Sequence, residues 1–272
     1  MTIMKAKNFR HNNALAKALL GSNKPALITD FDGTLSELQN DPTEASIDLN
    51  CLALLRNLSL HLPYLAILSG RDATQLANLV DLEEVAYFGN HGAESIIEGN
   101  QYFQEYSEPD LSDMRELFSN LQRTVRQPGI FWEFKKISAS VHFRMSNIHR
   151  AKYELQEALR IFTIPKSIDI FWGREIMEIR LRSSPNKGTA LESIVSSEQL
   201  MAAIYIGDDT TDLDAIKTFY QMKKNAGLKG FSVAVKSENM NNDLLRYADL
   251  FVSGIEGVET LLTWLYKRVT TL

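Results

Sequence analysis

Two stretches of this chain run an apolar segment straight into clustered acids. Residues 26–34 read Ala-Leu-Ile-Thr-Asp-Phe-Asp-Gly-Thr, and residues 202–212 read Ala-Ala-Ile-Tyr-Ile-Gly-Asp-Asp-Thr-Thr-Asp. A short apolar run bounded by turn residues reads as a buried strand. Acids at its end then fall on the rim of a sheet, where like charges repel and favour a bound cation. Either motif alone is ambiguous. Asp-x-Asp-Gly-Thr makes a good capped turn, and Asp208, Asp209 and Asp212 could simply complement a helix N-terminus. A calcium loop counted from Asp30 is excluded, because its Gly and Glu positions fall on Leu35 and Asp41.

Other short apolar runs fit the same rhythm. Strands are expected at Ala26–Asp30, Leu65–Ser69, Val85–Gly89, Ala203–Gly207, Ser232–Val235 and Leu250–Val252. Helical spacing lies between them, over Ile47–Leu60, Asp72–Val80, Lys187–Val195, Thr211–Lys224 and Gly254–Val269. Strand and helix in alternation predict an α/β fold: a Rossmann-like parallel sheet covered on both faces, with its chemistry at the carboxyl ends of the strands. The N-terminal segment up to Leu20 reads as a helix packed on this core.

The rhythm breaks in the middle of the chain. From Pro109 to Arg182 the order is helix (Leu111–Arg126), strands, helix (Ile148–Phe162), strands. This reads as a smaller inserted α+β cap domain over 109–182, with the core formed by 1–108 and 183–272. The aromatic residues Phe131, Trp132, Phe171 and Trp172 are expected in the cap's own core.

Two further strand-end motifs complete a set. Ser69, Gly70 and Arg71 follow the second core strand, and Lys187 opens a helix. A hydroxyl, a backbone amide and a lysine suit a phosphoryl group in transfer. In order along the chain, Asp-Phe-Asp-Gly-Thr, Ser69, Lys187 and Gly-Asp-Asp-Thr-Thr-Asp resemble the four motifs of the haloacid-dehalogenase (HAD) superfamily of phosphatases. That resemblance implies Asp30 as nucleophile, Asp32 as general acid/base, and Ser69 and Lys187 on the phosphoryl oxygens, with Thr34 and Gly70 beside them. It implies Mg2+ held by Asp30, the main-chain carbonyl of Asp32 and Asp208, with Asp209 or Asp212 in support.

The run Phe-Gly-Asn-His-Gly-Ala-Glu at 88–94, with Glu133, Lys135, His142, Arg144 and Glu178 of the insert, narrows this to a resemblance to the trehalose-6-phosphate phosphatase family. It implies a mobile cap in which Glu133, Lys135 and Glu178 hold sugar hydroxyls, with Arg71, Asn90, His91, His142 and Arg144 as further substrate contacts. The sequence departs from the family at Leu213–Ile216 and at Leu181. The expected activity is hydrolysis of trehalose 6-phosphate. Alternatives are another glycoside phosphate such as glucosylglycerol phosphate, a sugar phosphomutase on the same core, or a non-catalytic sugar-phosphate sensor.

Charge and composition trim the partners. A net charge of −5 leaves no face-wide basic excess for nucleic acid. No apolar run is long enough to span a membrane. The single cysteine, Cys51, sits in a helical apolar pattern and reads as a buried hydrophobe. A small sugar phosphate as the only partner, a cytoplasmic location and a monomer are the resulting expectations.

Overall fold

The computed structural model describes residues 6–39, 41–135, 137–173, 175–237 and 241–271. Lys136 and Arg174 of the insert, and the first five residues of the expected N-terminal helix, lie outside that set. The chain divides into two compact units, Met1–Phe103 with Pro185–Leu272, and Gln104–Ser184.

The first unit begins with β1 (Lys7–Asn8), α1 (Asn13–Leu20), β2 (Ala26–Thr29), α2 (Leu49–Ser59), β3 (Leu65–Leu68), α3 (Ala73–Val80), β4 (Ala86–Gly89), β5 (Glu94–Ile97) and β6 (Asn100–Phe103). The second unit holds α4 (Glu108–Thr124), β7 (Phe131–Phe134), β8 (Ser138–His142), α5 (Ile148–Ile161), β9 (Ile168–Trp172) and β10 (Ile176–Leu181). The chain then returns to the first unit with α6 (Lys187–Ser197), β11 (Ala202–Gly207), α7 (Thr210–Asn225), β12 (Lys229–Lys236), α8 (Asp243–Tyr247), β13 (Leu250–Ser253) and α9 (Gly254–Val269).

The large sheet runs β1-β13-β12-β11-β2-β3-β4-β5-β6. It is parallel from β1 to β4 and antiparallel beyond. Alternate residues of each strand feed opposite cores, as the two-residue period requires. Leu27, Ile67, Ile204 and Val233 join Leu20, Leu55, Leu76 and Leu261 from α1, α2, α3 and α9. Ile28, Ala66, Tyr205 and Ala234 join Leu191, Phe219 and Leu244 from α6, α7 and α8. Each fully buried Leu or Ile contributes about 1.5–3 kcal/mol, so the sheet is held from both sides. Cys51 lies in the first of these cores, and burial pushes its thiol up to about 12, which keeps it an inert hydrophobe.

Local chemistry fixes the helix starts. Asp48 accepts from Asn50 N and Cys51 N at α2, Asp72 from Thr74 N and Gln75 N at α3, and Asn186 with Thr189 forms a capping box at α6. The helix after Ser69 is thus capped by Asp72.

The sheet extends past what the apolar pattern predicts. The β5–β6 hairpin turns through Glu98 and Gly99, both with positive φ (50° and 74°), a two-residue turn that matches strand twist. Its strand β6 is exposed along its length, so no apolar alternation marks it. At the other edge β1 pairs parallel with β13, so the N-terminal segment is a strand followed by a helix beginning at Asn13.

In the second unit the sheet order is β7-β8-β10-β9, all antiparallel. One face packs on α4 and α5 through Val141, Phe143, Met177 and Ile179 against Met114, Leu121 and Leu155. Trp132 and Trp172 join that core. Phe131 and Phe171 do not: they are 47% and 46% exposed on the opposite face. This corrects the expectation that all four aromatics are internal. Strand residues alternate faces, so the two members of each Phe-Trp pair must point opposite ways.

Candidate active site

Asp30 follows β2 directly, and its N–H donates to Ile206 O at 2.8 Å, tying the end of β2 to that of β11. Both acid motifs therefore reach one rim. Lys187, at the first turn of α6, joins them: its Nζ lies 2.7 Å from Asp30 Oδ1 and 2.7 Å from Asp212 Oδ1. Lys187 is 2% exposed, so it belongs to the small minority of fully buried lysines, a state that requires pairing.

Asp212 is the hub of this arrangement. Its Oδ1 also accepts from Tyr205 OH at 2.5 Å, and its Oδ2 accepts from Asp208 N and Asp209 N at 3.1 and 2.9 Å. Its oxygens are thus committed to shaping the loop and holding Lys187. Tyr205 was not anticipated as a site residue. Its signal was a polar tip inside an otherwise apolar strand, which in a buried position needs a hydrogen-bond partner.

Burial raises Asp30 well above the ordinary carboxylate value, and Asp212 adds to this while Lys187 opposes it. Asp208 is raised by burial and then by Asp30 and Asp212. For Lys187, burial alone would lower the ammonium, but Asp212 and Asp30 together outweigh it and hold it protonated.

Among the described residues, Asp30, Asp208 and Asp212 offer carboxylate oxygens within 4.8 Å of one another. Asp208 Oδ1 is buried without a hydrogen-bond partner. Three carboxylates against one lysine leave an excess of negative charge, and the donors are all oxygen. That set fits a hard divalent cation. The side chains of Asp32 and Asp209 fall outside this grouping. Gly33, at φ +76°, makes room for it: a Cβ there would meet Asp208 Oδ2 at 2.2 Å.

Asp32 takes a different partner. Arg71 Nε and Nη2 donate to its two oxygens, each at 2.7 Å, and the guanidinium lies 5.6 Å from the centre of the Phe31 ring. A paired, planar clamp of this kind fixes orientation as well as charge. Arg71, read from the sequence as a substrate contact, is in this structure the holder of Asp32.

Thr34 Oγ1 is buried with no hydrogen-bond partner. Ser69 is buried, and its Oγ accepts from Arg71 N at 3.1 Å. Its carbonyl accepts from His91 N at 2.9 Å, and that of Arg71 from Asn90 N at 2.7 Å. Asn90 and His91 both adopt left-handed φ (47° and 59°), a strained pair for residues with side chains. Glu94 holds the pair in place, accepting from Asn90 Nδ2 at 2.6 Å and from Ala73 N at 3.0 Å. The His91 ring packs over Gly70, where a Cβ would meet it at 2.8 Å. Sequence reasoning quoted Glu94 within its motif without giving it a role, although a buried acid must have donors.

The remaining predicted residues cluster on the open face of the second unit's sheet. Glu133 Oε2 lies 3.1 Å from His142 Nε2 and 3.6 Å from Lys135 Nζ. Arg144 Nε donates to Glu175 Oε2 at 2.5 Å, and Glu178 pairs with Arg180. All are half-buried, which distinguishes this face from a freely solvated one.

The sequence matches the family model for trehalose-phosphatase over residues 28–249. A trehalose-phosphate phosphatase of Mycobacterium marinum (strain ATCC BAA-535 / M) is 32% identical over 199 residues, 71% of this chain and 50% of that protein. One of Mycobacterium leprae (strain TN) is 29% identical over 236 residues, 82% and 53% respectively. The chain thus spans about half the length of the curated relatives it matches. Among solved structures, the C-terminal domain of C. albicans trehalose-6-phosphate phosphatase superposes with a TM-score of 0.79 at 19% identity, covering 98% of this chain and 99% of that one. A haloacid dehalogenase-like hydrolase from Bacteroides thetaiotaomicron gives a TM-score of 0.63 at 14% identity, covering 89% and 100%, which is likeness of fold. With its acid motifs joined at one rim and the family match extending from β2 to the last residue before β13, this chain belongs to the trehalose-phosphatase family.

Proposed function

We propose that the protein is a Mg2+-dependent phosphatase that hydrolyses trehalose 6-phosphate to trehalose and phosphate. The observation that supports this most is the buried Asp30–Lys187–Asp212 relay beside Asp208, in a chain of the trehalose-phosphatase family. Asp30 is the nucleophile. Its carboxylate oxygen bonds to phosphorus as the bond to the sugar oxygen breaks, giving an aspartyl phosphate and a sugar alcohol. Asp32 gives a proton to the departing oxygen. It then takes one from the water that attacks phosphorus and frees Asp30. Splitting one displacement into two is the benefit of a covalent intermediate.

Lys187 offsets the repulsion between a carboxylate and a phosphate dianion, and Ser69 and the Thr34 hydroxyl bind the phosphoryl oxygens. Bound Mg2+, held by Asp30, Asp208 and the Asp32 carbonyl, would supply further neutralisation of that charge. Asp212 positions Lys187 and the Asp208–Asp209 turn. The first unit is the catalytic core. The second selects the sugar through Glu133, Lys135 and Glu178, whose acceptors and donors suit hydroxyl groups.

The test is phosphate release from trehalose 6-phosphate, glucosylglycerol phosphate, sucrose 6-phosphate, glucose 6-phosphate and p-nitrophenyl phosphate, with Mg2+ and with chelator. Preference for trehalose 6-phosphate, lost in chelator, is expected. Preference for another sugar phosphate keeps the core chemistry and overturns the sugar assignment. Release that survives chelation overturns the role of the cation.

The Arg71–Asp32 clamp makes its own prediction. Arg71→Ala frees the acid and should lower kcat on trehalose 6-phosphate about tenfold, a fraction of what a general acid contributes. The loss on p-nitrophenyl phosphate should be smaller, because nitrophenolate leaves without a proton. A rise in KM alone, with kcat intact, would return Arg71 to the role of a substrate contact.

A further inference from the structure

The open face of the second unit's sheet carries two exposed aromatic rings, Phe131 and Phe171, among its polar residues. A solvated sheet face is normally polar. Phe171 lies on it with 46% of its surface exposed, although the helix-covered face of the same strand takes up Trp172. Isolated exposed hydrophobes are common, but this ring is also held in place. The Arg180 guanidinium lies over it, 4.9 Å from its centre. Arg180 is itself 6% exposed and paired with Glu178. One face of the ring therefore rests on a buried cation, and the other is turned outward.

Register places that ring in a useful row. Glu133 stands opposite Ser140, Ser140 opposite Glu178, and Glu178 opposite Phe171. Three strand spacings give the row a length of about 14 Å. It has carboxylates and a hydroxyl along it and a flat apolar surface at one end. A pyranose ring has the matching chemistry: hydroxyls around its rim and a face of C–H groups.

We propose that the outward face of Phe171, held from behind by Arg180, is the platform on which a pyranose ring of the sugar phosphate stacks while Glu178 accepts from one of its hydroxyls. This rests on the sugar-phosphate reading above. Phe171 is thereby a specificity residue for the sugar and has no part in the phosphoryl step.

Wild type, Phe171→Ala, Phe171→Leu and Phe171→Tyr are compared on trehalose 6-phosphate and p-nitrophenyl phosphate. In the Ala variant kcat/KM for the sugar phosphate should fall about tenfold, the weight of a good aromatic contact, with the aryl phosphate unchanged. Tyr keeps the flat face and should restore the wild-type value. Leu keeps apolar volume but not the face, and should not. Saturation-transfer NMR in chelator, from aromatic protons to the C–H protons of trehalose 6-phosphate, should be seen in wild type and lost in the Ala variant. Equal losses on both substrates, a Leu variant as good as wild type, or no transfer in wild type to any sugar phosphate of the panel would overturn the platform. A wrong sugar assignment looks different. Wild type would then release no phosphate from trehalose 6-phosphate, and the preferred sugar phosphate of the panel would take its place in the same comparison.

Discussion

Asp30→Asn is expected to remove phosphate release from every substrate, by about four orders of magnitude or more, as loss of a nucleophile does elsewhere. The substitution keeps the side chain's shape and its backbone bond to Ile206, so the strand end should stay in place. Stability in chelator should not fall steeply. Burial, then Asp212 and Asp32, raise Asp30 above its ordinary value of 3.8 against the pull of Lys187, so the fold favours its protonated form. Such a group contributes stability below pH 3.8 and loses it as pH rises through the folded value. Wherever Asp30 carries its charge, that charge is a strain that Asn relieves, against the loss of one bond to Lys187. Phosphate assay and thermal unfolding check both parts. Release at the wild-type rate would dismiss Asp30 as nucleophile.

Lys187→Met should have the largest effect on stability. It removes the cation between Asp30 and Asp212 and leaves buried carboxylates facing one another. Breaking a buried pair in this way costs about 3–5 kcal/mol, because charge is left without compensation. The deficit should appear in urea unfolding with chelator present. Millimolar Mg2+ should recover part of it, since a ligand that binds only the folded state stabilises it by mass action. A cost under about 1 kcal/mol, the size of an exposed pair, would show that Lys187 does not balance the charge of the site.

The core strands and the helices between them were legible because a parallel sheet writes itself as short apolar runs ending in turn residues. The end of α9 at Val269 follows from its periodicity alone. What escaped is instructive. Strand β6 carries no apolar pattern because its whole length is exposed, and its only sign was the Glu-Gly of the turn. Strand β1 is a two-residue edge strand, specified by a partner some 240 positions away in the chain. At the site, the acids and Lys187 were readable from their types and order. The Arg71–Asp32 clamp was not, since it joins the ends of two strands by side-chain length, which no spacing encodes. Tyr205 and Glu94 were missed for a related reason. Each serves another residue of the site, and its partner exists only once the loops are folded. The orientation of Phe171 follows from the register of β9 against β10, which is set by pairing and not by composition.

The rim that carries Asp30 and Lys187 is assembled from segments far apart in the order of synthesis. Strand β2 leaves a ribosome early, but its neighbour β11 and the lysine that steadies Asp30 follow only after all of the second unit has been made. That unit is one unbroken stretch, so on the nascent chain it can complete its sheet while the first unit still waits for β11, β12 and β13 of its own. Until then β2 has an apolar edge without a partner, the kind of surface that holds chaperones and invites mispairing. A slow or stalled ribosome between β10 and β11 would lengthen that exposure. The yield of active protein in cells should therefore depend on translation speed over this stretch more than the folded protein's stability alone would suggest.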